Sequence, residues 1–149
     1  MKLEDEIKQS KFKNEYQKLA VNIFFTHGWL IGKHATIFKN FGITISQYNI
    51  LRLLRGQHPN SAPISLLKDR MLDKMSDASR LVERLRTKGL LSRKLCKEDR
   101  RRVNVLITKK GLSLLTKLDR FEVELETHLS NLSDVEAKKL NSLLDKMRG

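Results

Sequence analysis

In the middle of the sequence, an amphipathic segment precedes two β-prone runs that flank a basic turn, and this order leaves few possible folds. Residues 76–88 have the apolar spacing of a helix, and Gly89 follows them. Residues 90–95 and 103–108 are β-prone, and the turn 96–102 between them ends in three arginines. This order predicts a helix and then a β-hairpin with a basic tip. Such a unit fits duplex DNA, because a helix can enter the major groove while the tip reaches the backbone or the minor groove.

Positive charge is concentrated around this unit. The chain has 30 Lys and Arg against 17 Asp and Glu, a formal net charge of +13. Residues 68–110 contain 15 Lys and Arg against six acidic residues, whereas residues 119–149 contain five against seven. The uneven distribution indicates a polyanionic partner for the central segment. A merely basic surface is the plainer alternative.

Composition bounds the class of protein. A chain of 149 residues, 40% hydrophobic and 32% charged, is long enough for one charge-rich, mainly helical domain. The single cysteine excludes an internal disulfide framework and agrees with a cytoplasmic protein. The charged start predicts no secretory signal, and no run reaches the ~18 apolar residues of a membrane span.

The sequence contains no recognisable catalytic constellation. It has no P-loop, no G-x-S-x-G, no H-E-x-x-H and no dinucleotide fingerprint, so we expect neither an enzyme nor a cofactor. His27 and His34 are seven residues apart and share a helical face, but no third ligand has suitable spacing. We therefore predict no metal site.

The two ends of the chain are predicted to form long helices. We predict a helix over residues 8–40, whose apolar stripe is wider than one small core needs, so the helix should also contact a second subunit. A second long helix is predicted over residues 108–129. Ser133 and Glu136 form a predicted capping box at the start of the last helix.

The middle of the chain has shorter elements. Gly42 ends the first helix, and residues 44–47 form a predicted capping box at the start of the next. Residues 56–63 read as a loop, and Ser65 is the predicted cap of a short helix over residues 66–72. Ser76 is the predicted N-cap of the amphipathic helix.

Three motifs, taken together and in order, resemble those of the MarR-type winged helix-turn-helix transcription regulators. They are ITISQYNIL at 43–51, SDASRLVERLRTKGLLSR at 76–93 and DRRRVNVLITKKG at 99–111. The resemblance implies one domain, mainly α with a small β-hairpin wing. Residues 43–108 would form the DNA-binding region, and residues 1–42 and 109–149 would form a helical dimerisation region. It also implies a cytoplasmic, nucleoid-associated homodimer in a bacterium or archaeon. Such a dimer would bind a pseudo-palindromic DNA operator, and we expect it to act as a repressor.

Candidate DNA contacts lie on the amphipathic helix and on the wing. The helix candidates are polar, outward-facing residues: Ser76, Ser79, Arg80 and Arg84. An arginine there can bridge guanine O6 and N7. For Arg84 the alternative is an ion pair with Glu83 or Asp77, and for Ser76 it is a cap alone.

The wing candidates are Asp99, Arg100, Arg101 and Arg102. By resemblance, Asp99 would help to hold the wing while Arg101 enters the minor groove. The alternative is that Asp99 only pairs with a neighbouring arginine on a solvated turn. Cys96 is either a redox-sensitive thiol among cations or, in the favoured reading, an ordinary wing residue. The cysteine by which a peroxide-sensing subgroup of the family works, near the start of the first helix, is absent.

A small aromatic or phenolic effector is a further expected partner, with no membrane partner. The family binds effectors between the helical dimerisation region and the DNA-binding region. Candidate lining residues are His27, Trp29, His34, Tyr48 and Phe121. Plain core or dimer packing is the alternative for all five, and it is favoured. Rival functions for the whole chain are a constitutive architectural DNA-binding protein and an RNA-binding winged-helix protein.

Overall fold

The computed structural model describes residues 1–95 and 103–149, which contain eight helices and three short strands. The helices are α1 Leu3–Ile7, α2 Glu15–Asn40, α3 Ile45–Gln57, α4 Ile64–Arg70, α5 Ala78–Thr87, α6 Lys109–Asp119, α7 Glu122–Thr127 and α8 Asp134–Arg148. The strands are β1 Ala62–Pro63, β2 Leu91–Leu95 and β3 Val103–Ile107. The chain is mainly helical with one small sheet, as the sequence predicts.

The strands form one antiparallel sheet in the order β1-β3-β2. Arg93 on β2 lies opposite Val105 on β3, which confirms the two strands of the predicted hairpin. On the other edge of β3, Ala62 of β1 lies opposite Val105. The sequence predicts a loop at β1, because a two-residue strand has no periodicity and Pro63 is tolerated only at a sheet edge.

One apolar core supports both the helical ends and the hairpin. Helix α3 crosses its centre, and Ile50, Leu51 and Leu54 are fully buried. Val82 and Leu85 of α5 join the same cluster. Because α5 is fixed through this inner face, its outer face is held in a defined position.

Both predicted capping boxes are confirmed. The Thr44 hydroxyl accepts from the backbone N–H of Gln47 at 3.2 Å, and Oε1 of Gln47 accepts from the Thr44 N–H at 3.1 Å. Ser133 and Glu136 form the same reciprocal pair at the start of α8. These local hydrogen bonds satisfy N–H groups that a helix start leaves unpaired.

Glycines close α2 and α5 in the left-handed conformation. Gly42 has φ of 67° and Gly89 has φ of 70°. Beyond Gly89, the N–H of Leu90 donates to the Leu85 carbonyl at 3.0 Å, a bond typical of a Schellman motif. The chain therefore leaves α5 in a fixed direction and enters β2.

The first long helix is shorter than predicted. It begins at Glu15 rather than at residue 8, because the Asn14 side chain accepts from the Gln17 N–H at 2.9 Å and caps it. The short helix α1 precedes it and was not predicted.

Two predicted caps are wrong. Ser65 lies inside α4, whose N-cap position is Pro63, and no side chain caps this helix. The cap of α5 is Asp77 rather than Ser76, since the Asp77 carboxylate accepts from the Arg80 N–H at 3.1 Å. Asp and Ser are both good caps, so their adjacency left the choice open to tertiary context.

The predicted helix over residues 108–129 is two helices. Thr108 is the N-cap of α6, and α6 ends at Asp119. The Phe121 N–H donates to the Leu118 carbonyl at 2.9 Å, which tightens the chain before α7 begins. The Phe121 ring then packs edge-on against Phe41, with centroids 5.5 Å apart. No glycine or proline marks this break in the sequence.

The helical ends leave apolar side chains uncovered. Phe24 of α2 is 77% exposed, Leu143 of α8 is 53% exposed, and α8 has no buried residue. None of the helices in residues 1–95 and 103–149 has the length and apolar character needed to cross a bilayer.

Candidate nucleic-acid interface

Helix α5 separates an inner apolar face from an outer polar face. Ala78, Val82 and Leu85 are buried in the core. Arg80 and Arg84 are exposed and one helical turn apart, so they project from the same side of the helix. An exposed polar face on a rigidly supported helix suits insertion into a groove.

Asp73 holds the loop that precedes α5 through two hydrogen bonds. Its carboxylate accepts from the Ser76 hydroxyl and from the Met75 N–H, the latter at 3.0 Å. The hydrogen bond from Ser76 is the largest cause of a lowered Asp73 pKa. Ser76 thus helps to fix the loop before the helix, and it is itself partly exposed.

Glu83 joins α5 to the wing. Nη2 of Arg86 lies 2.7 Å from Oε1 of Glu83, and Nη2 of Arg93 on β2 lies 2.9 Å from Oε2. The hydrogen bond from Arg86, with the charges of both arginines, lowers the Glu83 pKa. Within residues 1–95 and 103–149, Arg84 forms no ion pair with Glu83, Asp77 or any other carboxylate, so its guanidinium is free to meet a ligand.

Exposed basic side chains are frequent in the part of the chain that contains α5. Eleven of the 15 Lys and Arg between residues 68 and 110 lie in the described part of the chain, and all eleven are exposed. On β2 these include Arg93 and Lys94. The predicted wing contacts Asp99, Arg100, Arg101 and Arg102, together with Cys96, lie outside the described residues.

The fold is similar to that of solved transcription regulators. A MarR transcription factor from Planctomyces limnophilus has 29% identity and a TM-score of 0.69, over 93% of this chain and 98% of that one. A cysteine-to-serine variant of MarR from E. coli, complexed with operator DNA, has 24% identity and a TM-score of 0.79 over 93% and 99%. Bordetella bronchiseptica BpsR, described with regulation of its DNA binding by 6-hydroxynicotinic acid, has 22% identity and a TM-score of 0.66 over 86% and 99%.

The fold is that of the MarR-type winged helix-turn-helix regulators. No family model matches the sequence, and no curated protein matches it either. The assignment therefore rests on the structural similarity over nearly the whole chain and on the three sequence motifs. The solved structures that match are those of transcription factors rather than enzymes.

The five residues predicted to line an effector pocket differ in their contacts and exposure. His34 packs against His128, with ring centroids 6.0 Å apart. Tyr48 is buried against Phe38 at 4.5 Å, and Phe121 packs on Phe41. His27 is exposed and Trp29 is partly buried. None of the five lines the cleft of about 400 Å³ that lies beside the exit of α5.

The His34–His128 pair carries two unsatisfied ring nitrogens. Nε2 of His34 and Nδ1 of His128 are buried without a hydrogen-bond partner in the described part of the chain. Burial, with the neighbouring charge of His128, lowers the pKa of His34 from its ordinary 6.5. The folded state therefore favours the neutral His34 ring.

We expect this pair to destabilise the fold in acid. A depressed histidine pKa contributes stability that is complete above the ordinary pKa of 6.5 and is lost as the pH falls through the folded-state value. Urea unfolding at pH 7.5 and 5.5 should show a smaller loss for His34→Gln than for the wild type. The exposed His58→Gln is the control and should lose as much as the wild type. Equal losses in all three proteins would contradict this role of His34.

Proposed function

We propose that this regulator is a sequence-specific DNA-binding repressor that acts as a homodimer on a pseudo-palindromic operator. The observation that carries the proposal is the outer face of α5, where Arg80 and Arg84 are exposed, lie one turn apart and have no acidic partner in the described residues. The DNA complex of the E. coli protein, which shares the fold, supports it. Such a role places the protein in the cytoplasm, on the nucleoid of a bacterium or archaeon.

The proposed contacts divide between base reading and backbone or minor-groove binding. We place Ser79, Arg80 and Arg84 in the major groove, where they contact base edges. We place Ser76 at the edge of the groove, next to the phosphate backbone. In the wing we place Asp99, Arg100, Arg101 and Arg102. An arginine in a narrow A·T-rich minor groove gains from the strong negative potential there.

The wing assignment predicts a contrast between Arg101 and Cys96. Arg101→Ala should weaken binding to the operator by roughly tenfold, the lower range for one arginine–base contact. Cys96→Ser should leave binding unchanged, because the thiol has no proposed contact. Fluorescence anisotropy with a labelled operator duplex measures both. Normal binding by Arg101→Ala would show that the wing does not use this residue.

Dimerisation supplies a second DNA-binding region, here called the head, and covers apolar side chains on the helices at the two ends of the chain. We propose that residues 1–42 and 109–149 form this interface while residues 43–108 form the head. Exposed apolar side chains on α2, α7 and α8 support it; they include Tyr16, Leu19, Phe24, Ile31, Val123, Val135, Leu140, Leu143 and Met147. An uncovered surface of this extent is unusual for a monomer.

Charge placed in the α8 part of this surface should separate the subunits. Leu140→Glu with Leu143→Glu should raise the dimer dissociation constant by at least about tenfold, because a buried unpaired carboxylate costs several kcal/mol. Asn141→Glu adds charge on another side of the helix, away from Val135, Leu140 and Leu143, and should leave the dimer intact. Sedimentation equilibrium distinguishes the two. A wild-type monomer at micromolar concentration, or equal effects of the two changes, would contradict the interface.

A small-molecule effector is part of the proposal. BpsR, which shares the fold, is described as regulated in its DNA binding by 6-hydroxynicotinic acid. An effector that binds one arrangement of the two heads better than the other would shift the DNA affinity by that difference. We propose a small aromatic or phenolic compound as the class of effector.

A further inference from the structure

An ion pair joins the head to the helix that leads into the last part of the chain. Nη1 of Arg55, in the last turn of α3, donates to both carboxylate oxygens of Asp119, at 2.9 Å and 2.8 Å. Asp119 is the last residue of α6 and lies 64 positions further along the chain. Because both oxygens are held, the pair restrains the orientation of the carboxylate as well as its distance from α3.

An acidic residue at this end of α6 has no local explanation. The carboxyl end of a helix carries the negative end of the helix dipole, which favours a cation there and disfavours an anion. Arg55 meets this preference at the end of α3, whereas Asp119 opposes it at the end of α6. The contact with Arg55, from a distant part of the sequence, is what stabilises a carboxylate at this position.

Asp119 stands at the break between α6 and α7. Before the break, Leu115 and Leu118 are buried in the core that α6 shares with α3. After the break, Val123 of α7 is 73% exposed, and α8 has no buried residue. The break therefore separates a helix that is packed on the head from two helices that carry exposed apolar side chains.

The length of α8 makes the angle at this break important. A helix of 15 residues is about 22 Å long. A tilt of about 10° at one end of such an arm moves its other end by roughly 4 Å, close to the step of about 3.4 Å between base pairs. In a dimer held through α8, a small change of angle at the break would therefore change the distance between the two heads by about one base pair.

We propose that the ion pair between Arg55 and Asp119 fixes this angle and thereby determines which spacing of operator half-sites the dimer accepts. Both are positioning residues, which act through the break and not through contact with DNA. The side chains are 33% and 37% exposed, so the pair adds little to the stability of the fold. This positioning role rests on the proposed function, because it concerns how two DNA-binding heads are held apart.

Selection of duplexes from a randomised pool, scored by the spacing of the recovered half-sites, tests the role. The wild type should recover one dominant spacing. Arg55→Met and Asp119→Ala should each lower the ratio of that spacing to those one base pair away by about fivefold, the upper range for an exposed ion pair. The half-site sequence should not change, because α5 is untouched. The double variant should lower the ratio no further than either single variant, since the two residues act as one pair.

Arg120→Met is the matched control. Arg120 adjoins Asp119 and is exposed, and it has no ion pair in the part of the chain that the structure describes, so its loss should leave the ratio unchanged. Thermal melts and sedimentation establish that each variant is a folded dimer, and Asp119→Ala replaces Arg55→Met if the latter is not.

Three results would overturn the positioning role while the proposed function stands. They are a wild-type spacing ratio in the variants that lack the pair, an additive loss in the double variant, and an equal loss in Arg120→Met. A wild-type protein that recovers no inverted repeat would overturn the proposed function, and the positioning role with it.

Discussion

Replacing Gly111 with alanine should lower the free energy of unfolding by about 3 kcal/mol or more, the upper range for overpacking a core. A Cβ at this position would lie 2.2 Å from the Leu90 carbonyl oxygen and 2.7 Å from Cγ1 of Ile107. Both neighbours belong to the start or end of the hairpin, and the first is backbone, so neither moves freely. Chemical denaturation of the purified variant measures the loss.

Gly56→Ala is the matched control. Gly56 lies in α3, and a Cβ there would meet nothing within 4 Å. Because glycine costs about 1 kcal/mol relative to alanine inside a helix, this variant should be as stable as the wild type or up to about 1 kcal/mol more stable. A Gly111→Ala protein of wild-type stability would show that α6 does not approach Leu90 so closely.

Replacing Arg84 with alanine should weaken specific operator binding by roughly 10- to 100-fold, the contribution of one bidentate arginine–guanine contact. The side chain is exposed and forms no ion pair with the described residues, so the thermal stability should not change. Binding to a scrambled duplex should weaken much less, because a phosphate-only contact does not depend on sequence. Anisotropy titrations with both duplexes separate the two contributions.

Arg86→Ala is the control for loss of charge. Arg86 lies on the same helix, but its guanidinium is bound to Glu83. Its removal should weaken binding to both duplexes slightly and by the same factor, because it reduces only the electrostatic attraction that salt screens. If Arg84→Ala and Arg86→Ala weaken operator binding equally, Arg84 reads no base.

Features with a local cause could be predicted from the sequence. The capping boxes at Thr44 and Ser133 and the closing glycines Gly42 and Gly89 depend on residues within one turn of the chain. The hairpin strands follow from the alternation of Val103, Val105 and Ile107. In each case the signal lies in residues that are close together in the sequence.

Features that depend on distant contacts could not. The break between α6 and α7 comes with packing of Phe121 on Phe41, about 80 residues away, and it has no breaker residue. Strand β1 exists because β3 passes beside it. Gly111 belongs to a recognisable motif, but only the approach of the Leu90 carbonyl explains why glycine is required there.

The candidate site divides in the same way. The outward placement of Arg80 and Arg84 follows from helical periodicity. The ion pair between Glu83 and Arg93 depends on how β2 returns beside α5. The periodicity of one helix does not indicate which charged residues of other elements will contact it.

Selection of bound duplexes from a randomised DNA pool measures sequence-specific binding by the dimer. The selection is made at about 150 mM salt, because salt reduces the non-specific electrostatic binding. A structured RNA competitor belongs in the same experiment. We predict recovery of an inverted repeat of roughly 16–20 base pairs with half-site centres about one helical turn apart, retained against the RNA. Recovery of no motif, with binding that collapses as salt rises or transfers to the RNA, would contradict a sequence-specific dimeric regulator.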